Sequence, residues 1–325
     1  MEPPRPATRS APPSAPPPIP SPCGSRSPTD AGRGAALAAL VAGALAIGAT
    51  PILVRLANAG PAMVGFWRLA LALPLLALLG ARTKGGPVGR PSPVMLAAGV
   101  FYALDLVFWH FGIRYTSIAN ATVLPNLTPV LVAVAAWLFL RERPTPAFLV
   151  GLSAALAGAA AMSLAGAGPR ATPGANPRLG DALCLATAVW YGLYFLCVRQ
   201  ARATRSTVQV MTWTSLVGAP ALLAMALALG EDLLPAAAAG WWALAGLAIA
   251  HVAGQGAIAW ALGRLPASTA ALVVLIQPVA AAALAWCVFG ETLTPWQATG
   301  GALALAGVAF AQTRWRPGVG DLDRG

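Results

Sequence analysis

The fold is decided by two related stretches of sequence, TPVLVAVAAWLFLRERPTPAFLVG at residues 128–151 and QPVAAAALAWCVFGETLTPWQATG at residues 277–300. Adding 149 to a residue number carries each matched residue of the first stretch onto its counterpart in the second, with no gap. The matches extend from Ala121 with Ala270 through Pro129 with Pro278, Trp137 with Trp286, Glu142 with Glu291, Thr145 with Thr294, Pro146 with Pro295 and Gly151 with Gly300 to Gly158 with Gly307. Eight matches at one offset indicate an internal repeat.

Around this repeat the chain is a succession of apolar runs. Hydrophobic residues make up 58% of the sequence and charged residues 10%, with a mean hydropathy of +0.69, whereas a soluble domain carries about 25% charged residues. The runs are 34–57, 62–80, 93–113, 117–140, 146–166, 179–198, 208–229, 240–262, 268–289 and 295–312. They lack two-residue alternation, which excludes a barrel, so the sequence predicts an all-α integral membrane protein with ten transmembrane helices.

The basic residues predict the orientation. If the N-terminus lies in the cytoplasm, sixteen of the 21 Lys and Arg residues fall in cytoplasmic segments and four on the other side, which places both termini inside, in a cell inner membrane. Ten helices divide into five per repeat. Because five is an odd number, the second repeat begins on the opposite side of the membrane from the first and is therefore inverted. The predicted units are a disordered, Pro-rich cytoplasmic tail (1–33), a first repeat (34–166), an external linker (167–178), a second repeat (179–313) and a cytoplasmic tail (314–325).

The paired motif resembles the EamA-type repeat of the drug/metabolite transporter superfamily. FWRLALALPLL from Phe66 and GDALCLATAVWYGLYFLCVR from Gly180 add to the resemblance, which covers residues 34–312. It implies a ten-helix bundle of two inverted repeats around a central cavity, without an ATP-binding domain or catalytic residues. It further implies secondary transport, usually export, of amino acids, nucleosides, drugs or related metabolites by alternating access.

Two charges lie well inside the predicted helices, Arg68 and Asp105. A charge at that depth is expensive and is a candidate functional group by default. The two lie at similar depths on sequential antiparallel helices, so we expect them to pair beside the cavity. A structural ion pair or a snorkelling arginine is the alternative reading, and the sequence leaves it open.

Uncharged side chains supply the remaining candidates. The substrate or cavity candidates are Asn120, Asn126, Trp190, Tyr191, Gln255 and Gln277, and the gate or hinge candidates are Pro129 and Pro278, which remove helix hydrogen bonds. Interhelical hydrogen bonding and packing are the ordinary alternatives for these residue types. His110 is expected at the external mouth with His251 facing it, and for Glu142 and Glu291 turn capping is favoured over proton coupling.

The same residues limit the function classes. No HExxH, GxSxG or Walker A pattern occurs, so an enzyme is disfavoured, and two histidines without clustered acids predict neither a metal site nor a cofactor. The dispersed basic residues argue against nucleic acid as a partner. The predicted partners are a small-molecule substrate and the lipid bilayer. A coupling proton or ion, a lipid flippase and a non-transporting membrane scaffold are alternatives that the sequence leaves open.

Overall fold

A computed structural model describes residues 30–82, 85–128, 145–165, 176–202, 204–262, 264 and 273–314. Within these ranges the secondary structure is helical and no strand occurs, as the sequence predicts. Pro129 and Glu142, the tail up to residue 29 and most of the predicted linker lie outside the described residues.

The described helices alternate with short turns. The first half contains α1 (Asp30–Gly48), α2 (Thr50–Leu56), α3 (Pro61–Ala70), α4 (Ala72–Gly80), α5 (Pro93–Tyr115), α6 (Ile118–Val123) and α7 (Pro146–Ala165). The second half contains α8 (Pro177–Arg202), α9 (Thr207–Ala228), α10 (Ala239–Ile249), α11 (Gly256–Leu262), α12 (Ile276–Phe289) and α13 (Pro295–Arg314). Local signals fix several helix starts, among them the Ser92 cap before Pro93 and the Ser206–Gln209 capping box before α9.

Six helical segments of the described chain are long and apolar enough to cross a membrane. They are Gly34–Leu56, Pro61–Gly80, Pro93–Tyr115, Pro177–Arg202, Thr207–Ala228 and Ala239–Ala261. Two shorter apolar helices, Pro146–Ala161 and Ile276–Phe289, coincide with the fifth and ninth predicted runs. A multi-pass helical membrane protein follows, while the count of ten helices and their inversion stay predictions.

Prolines interrupt three of the apolar segments. The helix breaks at Ala49, Leu71 and Leu275, and Pro51, Pro74 and Pro278 follow these breaks within two or three residues. A proline ring clashes with the carbonyl one turn earlier and donates no hydrogen bond, which accounts for the breaks. Pro278 therefore lies in the first turn of α12, not at the middle of a continuous helix.

Small residues bring α7 and α13 close together. A side chain at Gly158 would strike the backbone of Gly300 and Ala304, and one at Gly307 would strike Gly151 and Ala155. Small residues at four-residue spacing, such as Gly151 with Ala155 and Gly300 with Ala304, therefore serve close helix contact. The contact is reciprocal, because Gly300 and Gly307 are the repeat counterparts of Gly151 and Gly158.

Candidate functional site

A central cavity of about 90 Å³ lies between the two halves of the chain. Its walls comprise Ile47, Gly48, Thr50, Pro51, Arg68, Tyr102, Asp105, Leu106, Trp109, Ala121, Thr122, Pro125, Asn126, Thr187, Tyr191, Gln255, Val274 and Gln277. The set mixes two charges, several amides and three aromatic rings with aliphatic carbon. Such a mixture suits a small solute that has both polar and apolar parts.

Six of the eight predicted substrate or cavity candidates line this cavity, namely Arg68, Asp105, Asn126, Tyr191, Gln255 and Gln277. Two candidates lie elsewhere. The Trp190 ring packs beside Phe101 and Phe108 at centroid distances of 6.4 and 5.9 Å, because it points to a different side of α8 from Tyr191. Asn120 belongs to a separate polar cluster described below.

Arg68 and Asp105 share the cavity without forming the expected ion pair. Among the described residues the ion pair within 4.0 Å joins Arg55 to Glu291. Arg68 is 3% exposed and Asp105 is 7% exposed, and their charges interact only at a longer range. The expectation of a direct pair was wrong, because similar depth on neighbouring helices does not fix how close two side chains come.

Tyr102 of the cavity wall begins a hydrogen-bonded chain that sequence reasoning missed. The Tyr102 hydroxyl lies 3.1 Å from Nδ1 of His251, and the Ser215 hydroxyl lies 3.4 Å from Nε2 of the same ring. His251 therefore does not face His110, whose Nδ1 lies 3.0 Å from the Pro61 carbonyl oxygen beside a second cavity. The repeat offset of 149 relates Tyr102 to His251, so the repeat itself could have found this contact.

Two helical irregularities aim side chains at the cavity. A π-helical turn over Ala250–Gln255 joins α10 to α11, and a 3-10 turn over Leu124–Leu127 follows α6. The first contributes Gln255 and the second contributes Pro125 and Asn126 to the walls. Turns of this kind recur at functional sites because the extra or missing residue rotates the side chains around them.

Gln277 differs from Asn126 in its hydrogen bonding. Asn126 Nδ2 donates to the Thr122 carbonyl at 2.6 Å, which fixes its amide. Gln277 Nε2 is buried without a partner. An unsatisfied buried donor on a cavity wall is a group that a bound solute can satisfy.

A second polar cluster lies where α2, the turn after α5, the start of α8 and the turn before α13 meet. We call it the Glu291 network, and it comprises Arg55, Thr116, Ser117, Ile118, Asn120, Asp181, Glu291 and Gln297. Arg55 Nη1 donates to Glu291 at 2.9 Å, and Arg55 Nη2 donates to the Thr116 carbonyl at 2.7 Å. Glu291 also accepts from the backbone N–H of Ile118 at 2.9 Å.

The same network continues through buried amides and a carboxylate. Asp181 accepts from the Thr116 hydroxyl at 2.7 Å and from Asn120 Nδ2 at 3.0 Å. Gln297 Nε2 donates to the Ser117 hydroxyl at 3.2 Å. Glu291 thus caps α6 and not its own turn, a contact between the two halves that local sequence cannot predict.

Two models of known protein families match the sequence of this chain. The model of the EamA-like transporter family matches residues 34–164 and 178–313, and that of solute carrier family 35 matches residues 107–234. The two EamA matches reproduce the two repeats that the offset of 149 indicates.

Three curated relatives span most of the chain. An uncharacterized transporter of Archaeoglobus fulgidus is 28% identical over 281 residues, which cover 86% of this chain and 96% of the relative. A pseudopaline exporter of Pseudomonas aeruginosa is 26% identical, covering 78% and 87%. A probable terminal-alkyne amino-acid exporter of Streptantibioticus cattleyicolor is 30% identical, covering 81% and 88%.

A solved crystal structure has the same fold. It superposes with a TM-score of 0.59 at 21% sequence identity, covering 86% of this chain and 96% of the other. At this identity the likeness bears on the fold alone.

Proposed function

The chain belongs to the EamA-like transporter family, and on that premise we propose that it exports a small metabolite across the inner membrane by alternating access. The relatives named as exporters support a small-molecule transporter rather than an enzyme. The observation that carries the proposal is the central cavity, whose walls come from both repeats and include buried charges. Sites of this kind, near the middle of the bundle between repeats, are typical of secondary transporters.

Reciprocal contacts between equivalent residues support the inverted arrangement. Tyr102 contacts His251, its counterpart at the offset of 149. Glycines of α7 and α13 also contact each other reciprocally, since Gly158 approaches Gly300 and Gly307 approaches Gly151. Equivalent positions that touch across an interface are expected where a pseudo-two-fold axis relates two repeats.

The Glu291 network has the position of a closed external gate. With both termini cytoplasmic, as the sixteen-to-four distribution of basic residues predicts, Arg55 and Glu291 lie on the external side. Their contact joins the first half to the second at that side. Release of a solute outward then requires this contact to break, while the cavity walls stay intact.

A metabolite comparison tests transport directly. Extracellular and intracellular solutes are measured in cells that lack the protein and in cells that overproduce it. We expect at least one small solute to accumulate outside the overproducing cells and inside the deficient cells. A change confined to membrane lipids would favour a flippase, and no change in any solute or lipid would favour a scaffold.

Reporter fusions test the orientation separately. Alkaline phosphatase is active only outside the cytoplasm, so a fusion after residue 325 is expected to be inactive. A fusion in the segment near Asp232, before α10, is expected to be active. Activity at the C-terminus would contradict the assigned number or orientation of the helices.

A further inference from the structure

Two opposite charges face the central cavity without a protein partner. Arg68 Nε is buried and has no hydrogen bond, and no hydrogen bond or ion pair within the described chain reaches Asp105. Both residues line the same cavity and both are more than nine-tenths buried. A buried charge without a counter-charge is costly, so a pair of them held apart in one cavity suits a ligand that supplies the missing partners.

The repeat architecture does not require either charge. The repeat counterpart of Arg68 is Thr214, at an offset of 146, and that of Asp105 is Gly254, at the offset of 149. Gly254 packs closely against Ile47, whereas Asp105 opens onto the cavity. The charges therefore belong to what this chain binds and not to how its two halves fold.

We propose that the transported solute is a zwitterion whose carboxylate binds Arg68 and whose ammonium binds Asp105. This inference rests on the proposed function and names the substrate class of the same cavity. A planar guanidinium matches a carboxylate with two parallel hydrogen bonds. A ligand with a single charge would satisfy one residue and leave the other stranded in the low-dielectric interior, which is the physical basis of the selectivity.

The aromatic walls fit the rest of such a solute. Tyr102, Trp109 and Tyr191 line the cavity together with Asp105. Trp109 is held in place because its Nε1 donates to the Ala121 carbonyl at 2.9 Å. Aromatic faces favour an ammonium group and also cover apolar carbon, so they accommodate both the charged amine and a hydrophobic side group.

The metabolite comparison separates this inference from transport itself. We expect the exported solute to carry both a carboxylate and an ammonium group at neutral pH. An exported solute that lacks one of these charges overturns the zwitterion proposal and leaves transport standing. The absence of any exported solute counts against transport.

A selectivity reversal tests the two residues with defined probes. The probes are L-phenylalanine, N-acetyl-L-phenylalanine (an anion) and L-phenylalanine methyl ester (a cation), and the readout is the thermal unfolding of the purified full-length protein in detergent. The wild type should be stabilised by the zwitterion. Asp105→Asn should prefer the anion and Arg68→Gln the cation, each by about tenfold in apparent affinity.

Matched controls make the same chemical changes away from the cavity. Asp232→Asn and Arg82→Gln remove charges from exposed positions and should keep the preference of the wild type. If Asp105→Asn does not fold, Arg68→Gln alone tests the reversal, and Asp105→Glu, which keeps the charge, should keep the preference of the wild type. A wild type that responds equally to all three probes or to none, or variants that show no reversal, would overturn the proposal.

Discussion

The Glu291 network and the central cavity both bury charges, and they treat them in opposite ways. In the network Arg55 meets Glu291 at 2.9 Å, and Asp181 accepts two hydrogen bonds. In the cavity Arg68 and Asp105 are more deeply buried than the Arg55 and Glu291 side chains, which are 26% and 12% exposed, and yet they have no such contacts. The protein pairs Arg55 with Glu291 by itself and leaves Arg68 and Asp105 without a partner among the described residues.

This difference separates stability from binding. Charges that meet each other across two halves of a protein hold those halves in one arrangement. Charges that are kept apart stabilise nothing in the empty protein and become favourable only when a ligand joins them. Substitutions in the two regions should therefore change stability in opposite directions.

The largest effect is expected from Glu291→Ala. It leaves the Arg55 guanidinium without its carboxylate and the Ile118 N–H without its acceptor, so the free energy of unfolding should fall by about 3 kcal/mol. Chemical unfolding in detergent measures the loss. The double variant Arg55→Ala/Glu291→Ala should recover about half of it, and strict additivity of the two single losses would show that the pair is not coupled.

A somewhat smaller loss is expected from Asp181→Ala. The Thr116 hydroxyl and the Asn120 amide lose their shared acceptor, which should lower the free energy of unfolding by about 2 kcal/mol. The same unfolding assay applies. The control is Asp232→Ala, which removes an exposed acid and should change stability by less than about 0.5 kcal/mol. A loss at Asp232 as large as that at Asp181 would show that the Glu291 network has no special role in stability.

Neutralising a charge of the cavity should change the free energy of unfolding in the opposite direction. Asp105→Asn removes a buried charge that has no partner, so we expect stability to stay level or to rise by about 1 kcal/mol while transport is lost. A double-mutant cycle with Arg68→Gln should give a coupling energy below about 0.5 kcal/mol in the absence of solute. A strong destabilisation by Asp105→Asn that the double variant rescues would instead support a structural ion pair between Arg68 and Asp105.

The smallest effect is expected from Tyr102→Phe. The substitution removes the hydroxyl that contacts His251 Nδ1 and should cost about 1 kcal/mol. Ser215→Ala, which removes the longer 3.4 Å contact on the other nitrogen, should cost less. If Ser215→Ala proves the more damaging of the two, the hydrogen bond to Tyr102 does not dominate the position of His251.

Particular residues show how far sequence reasoning reached. Arg68 and Asp105 were found because a charge within an apolar run is conspicuous, and the structure places both on the cavity. The same reasoning paired them wrongly, because an estimate of depth carries no information on rotation about each helix axis. Trp190, another predicted cavity residue, packs beside Phe101 and Phe108 on another side of its helix.

The fold was more accessible than the site. Length and hydropathy alone predict apolar helices, and the offset of 149 finds the repeat, because lipid forces backbone hydrogen bonds to close within each segment. The breaks near Pro51, Pro74 and Pro278 follow from the chemistry of proline. The Tyr102–His251 contact was also within reach, although only by asking which repeat counterparts touch.

By itself, then, the sequence determined that the chain is a repeated bundle of apolar helices with two buried charges, since these properties depend on composition and on spacing along the chain. Only the tertiary structure decided that Arg55 meets Glu291, 236 residues away, while Arg68 and Asp105 stay apart. The reason is that contact between side chains depends on helix rotation, on the breaks at Leu71 and over Ala250–Gln255, and on the close approach of glycine-bearing helices. These are set by the packing of all the helices together.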